Sequence, residues 1–218
     1  MSDGLVGQPD PEPGREPGDR TTLWERKIAA DPGHSAWYVE RFRRLASDGT
    51  DIVGEARTID AMLRRGSRVL DAGCGFGRVG GHLAAVGHTV VGVDVDAHLI
   101  ATARADHPGA TWIVGDLAAL DLAAHGIPDP FDAIVCAGNV MTFLAPGTQR
   151  VVLAAFRRHL APEGRAVVGF GTDRGYAVED FLADAAASGL VPDLLLATWD
   201  LRPYAADADF LVAILRRD

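Results

Sequence analysis

The sequence predicts an α/β fold: a doubly wound, seven-stranded, mostly parallel sheet that ends in an antiparallel hairpin. Three observations lead there. From residue 67 onward, short apolar runs alternate with stretches of helical period. Such alternation makes right-handed strand–helix–strand units and a sheet covered on both faces. Only nine residues, 201–209, separate the last two apolar runs, too few for a parallel crossover. Ahead of the alternation, two amphipathic stretches form an extra helical layer.

The elements follow in order. Residues 67–73 (SRVLDAG) form the first strand, ending beside Asp71. Residues 76–87 (FGRVGGHLAAVG) read as a helix closed by Gly87. The second strand is 88–94 (HTVVGVD), and the helix after it, 96–108, stops at Pro108. The third strand is 110–116 (ATWIVGD). The fourth, 130–139, has a β-branched centre. A helix then runs to the turn at Pro162 and Gly164, and the fifth strand is 165–171 (RAVVGFG). A helix over 178–190 and strands over 194–200 and 210–216 complete the chain.

Before residue 67, SAWYVERFRRLAS places Trp37, Val39, Phe42 and Leu45 near one face. DIVGEARTIDAMLRR places Ile52, Ile59, Met62 and Leu63 near another. These two helices, within residues 21–66, are expected to cap the crevice at the carboxyl ends of the strands. Residues 1–20 are rich in Pro and Gly and poor in apolar residues, as in a disordered tail. The main domain is expected over 67–218.

Composition excludes several classes. The chain has 218 residues and a net charge of −9, a poor match to a nucleic-acid backbone. No apolar run is long enough for a membrane span, and the N-terminus lacks the pattern of a secretory signal. The expected setting is the cytoplasm, with the chain a monomer or homodimer. Lys27 is the only lysine, which fits codon bias in a GC-rich genome. Cys74 and Cys136 are expected to be free packing thiols, adjacent because the first and fourth strands are neighbours. No Cys/His group has zinc-site spacing, so no metal is expected.

Within VLDAGCGFGRVGGHL, two patterns overlap. Gly75-x-Gly77-x-x-Gly80 has the spacing of a dinucleotide-binding turn. Asp71-x-Gly73-x-Gly75-x-Gly77 reads differently. A carboxylate just before the glycines repels a pyrophosphate and suits a ligand that carries an ammonium group. Asp71 also suits a helix cap. Asp94, 19 residues beyond Gly75, serves either pattern as a ribose-binding acid.

VLDAGCGFG resembles the first motif of the class I S-adenosylmethionine-dependent methyltransferases, in their small-molecule form. VVGVDVD, VGDLAAL, FDAIVCAGNVMTFL and LAPEGRAVVGF resemble the family's later motifs in order. The resemblance covers residues 67–218 and implies a Rossmann-like methyltransferase fold with S-adenosyl-L-methionine as cofactor. It implies that Asp71, Gly73, Cys74, Gly75 and Gly77 form the glycine turn against the ligand. Asp94 would bind both ribose hydroxyls, and Asp116 the adenine amine. Val95 and Leu117 would sandwich the adenine or serve as apolar core. Ala137, Gly138 and Asn139 would approach the sulfonium through the backbone. AGNVMTF lacks the prolines of the motif that serves nucleic-acid bases.

Methyl transfer needs alignment and exclusion of water more than a base, and no dyad stands out. His34 is the candidate general base, with a surface residue near a helix cap as the other reading. The acceptor, a small molecule, is expected among Trp37, Tyr38, Met141, Tyr176, Arg202 and Tyr204, with Phe143, Thr172, Arg174 and Trp199 nearby. Arg174 and Arg202 would orient an anionic acceptor. Two rival functions remain open on the residues alone: a nicotinamide-dependent oxidoreductase and a non-catalytic S-adenosylmethionine-binding protein.

Overall fold

A computed structural model describes residues 20–128 and 130–218. The tail expected over residues 1–20 therefore lies, apart from Arg20, outside the described residues. Seven strands form one sheet, in the order β3-β2-β1-β4-β5-β7-β6. They are β1 (Arg68–Ala72), β2 (Thr89–Asp94), β3 (Thr111–Val114), β4 (Phe131–Cys136), β5 (Leu160–Gly171), β6 (Leu190–Leu196) and β7 (Phe210–Arg217). The first five run parallel, with Asp71 opposite Gly92 and Val135. β7 runs antiparallel between β5 and β6. The order reverses between β1 and β4, where ligands sit in open α/β sheets.

Helices cover both faces: α4 (Arg78–Ala85), α5 (Ala97–Asp106), α7 (Gln149–His159) and α8 (Val178–Ala187), with one short turn, α6 (Val140–Phe143). The two faces of the sheet feed separate cores. Leu70, Ile134 and Val168 meet Phe156 and Phe181 on one side. Val69, Val135 and Val167 meet Leu83 and Ile59 on the other. Alternate residues of each strand thus bury opposite sides.

Three boundaries differ from expectation. α8 stops at Ala187 because Gly189 takes a left-handed φ of +73°, the usual helix stop. β6 can therefore start at Leu190, four residues earlier than its apolar pattern suggested, and residues 198–201 turn instead of extending. β5 begins directly after α7. Its register jumps from Phe131–Leu160 to Ala133–Arg165, so the Pro162–Gly164 segment is a bulge within the strand.

The N-terminal layer holds three helices, one more than expected: α1 (Leu23–Ala30), α2 (His34–Ser47) and α3 (Gly54–Ala61). α1 starts on a capping box. Thr22 Oγ1 accepts the Glu25 N–H at 3.0 Å and Glu25 Oε2 accepts the Thr22 N–H at 2.8 Å. α3 is shorter than the expected 51–65, because Asp51 holds the Val53 N–H and keeps residues 51–53 out of the helix.

Two joints fasten this layer. Asp96 caps α5 by accepting from His98 N and Leu99 N through Oδ1. Its Oδ2 accepts from Trp24 Nε1 of α1 and Ser35 Oγ of α2. At the second joint, Arg78 of α4 donates to both oxygens of Glu55 on α3 and to Ile52 O, with its guanidinium 5.2 Å from the Phe42 ring centroid. Val39 closes the seam against Phe76 and Leu99.

Candidate functional site

A cleft of about 660 Å³ opens at the carboxyl ends of the strands, under α1 and α2. At one end its wall carries Gly73 and Gly75 after β1, Asp94 and Val95 after β2, and Asp116 and Leu117 after β3. Ala137, Gly138 and Asn139 follow from the end of β4. Nine of the twelve expected cofactor residues therefore share one wall.

The glycine turn is built for close packing. Gly73 has φ +79°, and a Cβ there would fall 2.4 Å from Val140. Its backbone N–H groups are already engaged. Gly73 N and Cys74 N donate to Val93 O, Gly77 N to Cys74 O, and Gly75 N to Asp94 Oδ2 at 2.8 Å. A pyrophosphate site needs such amides free. With these amides engaged, the turn presents the Asp94 carboxylate, which fits sugar hydroxyls.

Asp94 also accepts the Asp96 N–H through Oδ1 at 2.9 Å. Burial pushes its carboxyl up to about 6, against the pull of the Asp96 and Gly75 amides. Asp116 caps the short turn at Leu117–Ala119 by accepting from Ala118 N. Its second oxygen is not engaged in that bond.

Asp71, Cys74 and Gly77 stand outside the wall. Asp71 is 2% exposed and turns back to accept the Gly80 N–H at 2.8 Å. It braces the turn against α4 and does not line the cleft. Burial raises its carboxyl to about 7, eased by the Gly80 bond and Arg78. Cys74 packs with Ile100, Ala103 and Trp112. Cys136 packs in the core on the opposite sheet face. The neighbouring strands do not bring the thiols together, because the two side chains leave on different faces. Burial lifts both thiols above their ordinary range.

The other end of the cleft is aromatic. Trp24, His34 and Trp37 line it, joined by Phe143, Trp199 and Arg174, while Tyr38 lies over the glycine turn, 3.8 Å from where a Cβ on Gly75 would fall. Ring centroids run Phe143–Trp24 5.6 Å, Trp24–His34 5.3 Å and His34–Trp37 5.1 Å, the last pair stacked. Trp37 is 53% exposed. His34 Nδ1 lies 3.6 Å from Asp31 Oδ2.

Four expected acceptor residues lie elsewhere. Met141, on α6, is fully buried. Tyr176 stacks on Phe170 in the core and donates to Asp184 Oδ2 at 2.9 Å. Arg202 is exposed and pairs with Asp200 at 3.4 Å. Tyr204 packs at the core edge, and its backbone N–H donates to Leu195 O. With β6 starting early, the hairpin connection reaches the cleft through Trp199 but not through Arg202 or Tyr204. Trp24, Lys27, Arg41 and Arg78 line the cleft without having been expected. For α1, the Thr22-x-x-Glu25 box was the available signal. Asn139 Oδ1 accepts the Gly171 N–H at 2.7 Å, tying β4 to β5, so its side chain is occupied structurally.

Comparison with known proteins agrees with this geometry. A family model described as a methyltransferase domain matches residues 69–164. A TehB-like S-adenosylmethionine-dependent methyltransferase from Corynebacterium glutamicum is 47% identical in its crystal structure. It superposes with a TM-score of 0.82, covering 86% of this chain and 100% of that one. A dTDP-3-amino-3,6-dideoxy-α-D-glucopyranose N,N-dimethyltransferase from Streptomyces fradiae is 30% identical over 148 residues, 66% of this chain and 54% of that enzyme. The chain spans about half the length, or less, of the curated relatives it matches. An amino pentose methyltransferase from Micromonospora echinaspora, 21% identical, shares the fold with a TM-score of 0.64, over 82% of this chain and 96% of that one. On this evidence the chain belongs to the class I S-adenosylmethionine-dependent methyltransferase family, whose cofactor is S-adenosyl-L-methionine.

Proposed function

We propose that this chain transfers a methyl group from S-adenosyl-L-methionine to a small-molecule acceptor held under the helical cap. One observation carries the reading: one cleft brings the strand-tip glycines and carboxylates together with the β4 turn and the aromatic side chains of α1 and α2. The family's cofactor, when bound, supplies a methyl group on a sulfonium and a neutral thioether as leaving group.

In this reading Asp94 accepts the ribose hydroxyls and Asp116 the adenine amine. Val95 and Leu117 flank the adenine. Gly73 and Gly75 give the backbone room to approach, and Ala137, Gly138 and Asn139 face the reacting carbon through their main chain. α1 and α2 form the roof that keeps water from the line of transfer. Tyr38 stays a phenol because burial holds its hydroxyl above the ordinary value. His34 is the candidate base for an acceptor that must lose a proton. Alignment supplies most of the acceleration.

Relatives support a small acceptor. The Streptomyces fradiae relative is a dimethyltransferase of an amino sugar nucleotide, and relatives from Erwinia billingiae and Pectobacterium atrosepticum are malonyl-[acyl-carrier protein] O-methyltransferases. Among the described residues, no helix is long and apolar enough to cross a membrane. The test is a mass-spectrometric screen of metabolite extracts with cofactor deuterated at the methyl group. Products that gain one labelled methyl support the proposal. S-adenosylhomocysteine formed only by hydrolysis, with no labelled product from any extract, contradicts it.

A further inference from the structure

The cleft carries cations that join no ion pair among the described residues. Lys27, Arg41 and Arg174 all reach its wall. Among the described residues, none of the three makes an ion pair. Of the four acids that line the cleft, Asp51 pairs with Arg57 and Glu55 with Arg78. Asp94 and Asp116 stand on the strand tips.

Placement gives the charges a shape. Lys27 lies one turn beyond Trp24 on α1, and Arg41 one turn beyond Trp37 on α2. The Arg41 guanidinium is 5.9 Å from the Trp37 ring centroid. Trp37 is backed by His34 at 5.1 Å and presents an exposed ring surface. Arg174 reaches the same cleft from the loop after β5. A flat ring suits the indole face, and an anionic group suits the cations around it. The whole chain carries a net charge of −9, so the cations are the local feature that draws an anion toward the cleft.

We infer that the methyl acceptor is an anion with a flat ring, its carboxylate or phosphate held by Lys27, Arg41 and Arg174 and its ring against Trp37. The inference rests on the methyltransferase reading of the same cleft. It replaces the expected pair Arg174 and Arg202 with three residues, because Arg202 is occupied by Asp200 outside the wall.

The test uses the full chain saturated with S-adenosylhomocysteine, whose own binding is measured first. Benzoate, phenyl phosphate, benzamide and benzylamine are then titrated at low ionic strength, followed by calorimetry and tryptophan fluorescence. At least one anion is expected to bind about tenfold more tightly than benzamide, with benzylamine weaker still. The tighter anion identifies the group as carboxylate or phosphate. Lys27→Gln, Arg41→Gln and Arg174→Gln should each weaken that anion several-fold and leave S-adenosylhomocysteine affinity unchanged. Trp37→Leu should remove the fluorescence response. Benzamide or benzylamine binding as well as both anions, no binding by either anion, or anion affinity indifferent to all three charge variants would overturn the inference. Failure of S-adenosylhomocysteine to bind counts against the methyltransferase reading instead, and the four probes are then titrated on the ligand-free chain with the same criteria.

Discussion

Asp96 accepts the indole N–H of Trp24 at 2.9 Å across 72 residues of sequence. The same carboxylate caps α5 and receives Ser35 Oγ. Burial opposes its ionisation, but the Ser35, Trp24, Leu99 and His98 donors outweigh that and hold the carboxyl below its ordinary value. One side chain therefore fastens two cap helices to the helix that follows the ribose-side strand.

Asp96→Ala is expected to cost about 2–4 kcal/mol, because a helix cap is lost and two buried donors lose their acceptor. Asp96→Asn should lose less, since asparagine still caps. Denaturant unfolding measures the cost. Hydrogen exchange over residues 22–47 should rise in the alanine variant more than over β1 and β4. A loss below about 0.5 kcal/mol, with unchanged exchange, would remove Asp96 from this role.

The cap is proposed to act as a lid, and the same exchange experiment tests it. In the wild type, S-adenosylhomocysteine should slow exchange across residues 31–47. Protection that is complete without ligand and unchanged with it leaves the cap as a fixed roof.

Asp71 gives a pH signature. Its carboxyl is raised from 3.8 to about 7 by burial, so between those values the folded chain holds a proton that the unfolded chain has lost. The folded state then binds more protons, and stability falls as pH rises through that window. Asp71→Asn keeps an acceptor for Gly80 and removes the titration. The stability difference, wild type minus variant, should therefore shrink from pH 5 to pH 7 by up to about 1.4 kcal/mol per pH unit. A difference that stays constant over this range, measured by urea unfolding, contradicts the burial of an ionisable Asp71.

Much of this was legible in the sequence because the relevant signals are local. Strand β2 ends in Asp94 and β3 leads into Asp116, and a parallel sheet must bring those ends to one edge. The antiparallel hairpin followed from a connection too short to cross over. Side-chain direction was less legible. Asp71 and Gly73 are two residues apart, yet one is buried behind the turn and the other forms the cleft floor, a choice set by the Gly80 amide. The hairpin residues Arg202 and Tyr204 missed the cleft because Gly189 ended α8 early and shifted β6 by four residues. Arg41 and Lys27 read in isolation as solvated helix faces. Helix period sets them beside Trp24 and Trp37, and only packing of α1 and α2 over the strand ends turns all four toward the cleft.

The central claim is that the strand-end carboxylates hold S-adenosylmethionine, and calorimetric titration with S-adenosylhomocysteine tests it most directly. The wild type should bind this ligand and give no heat with NADH or NADPH. Asp94→Ala should weaken binding by at least about tenfold, since two hydrogen bonds to a charged group are worth about 1.5–3 kcal/mol each. Asp116→Ala should lose less, with both variants shown folded by circular dichroism. Binding of a nicotinamide nucleotide without response to S-adenosylhomocysteine, or a folded Asp94→Ala with unchanged affinity, would contradict the account.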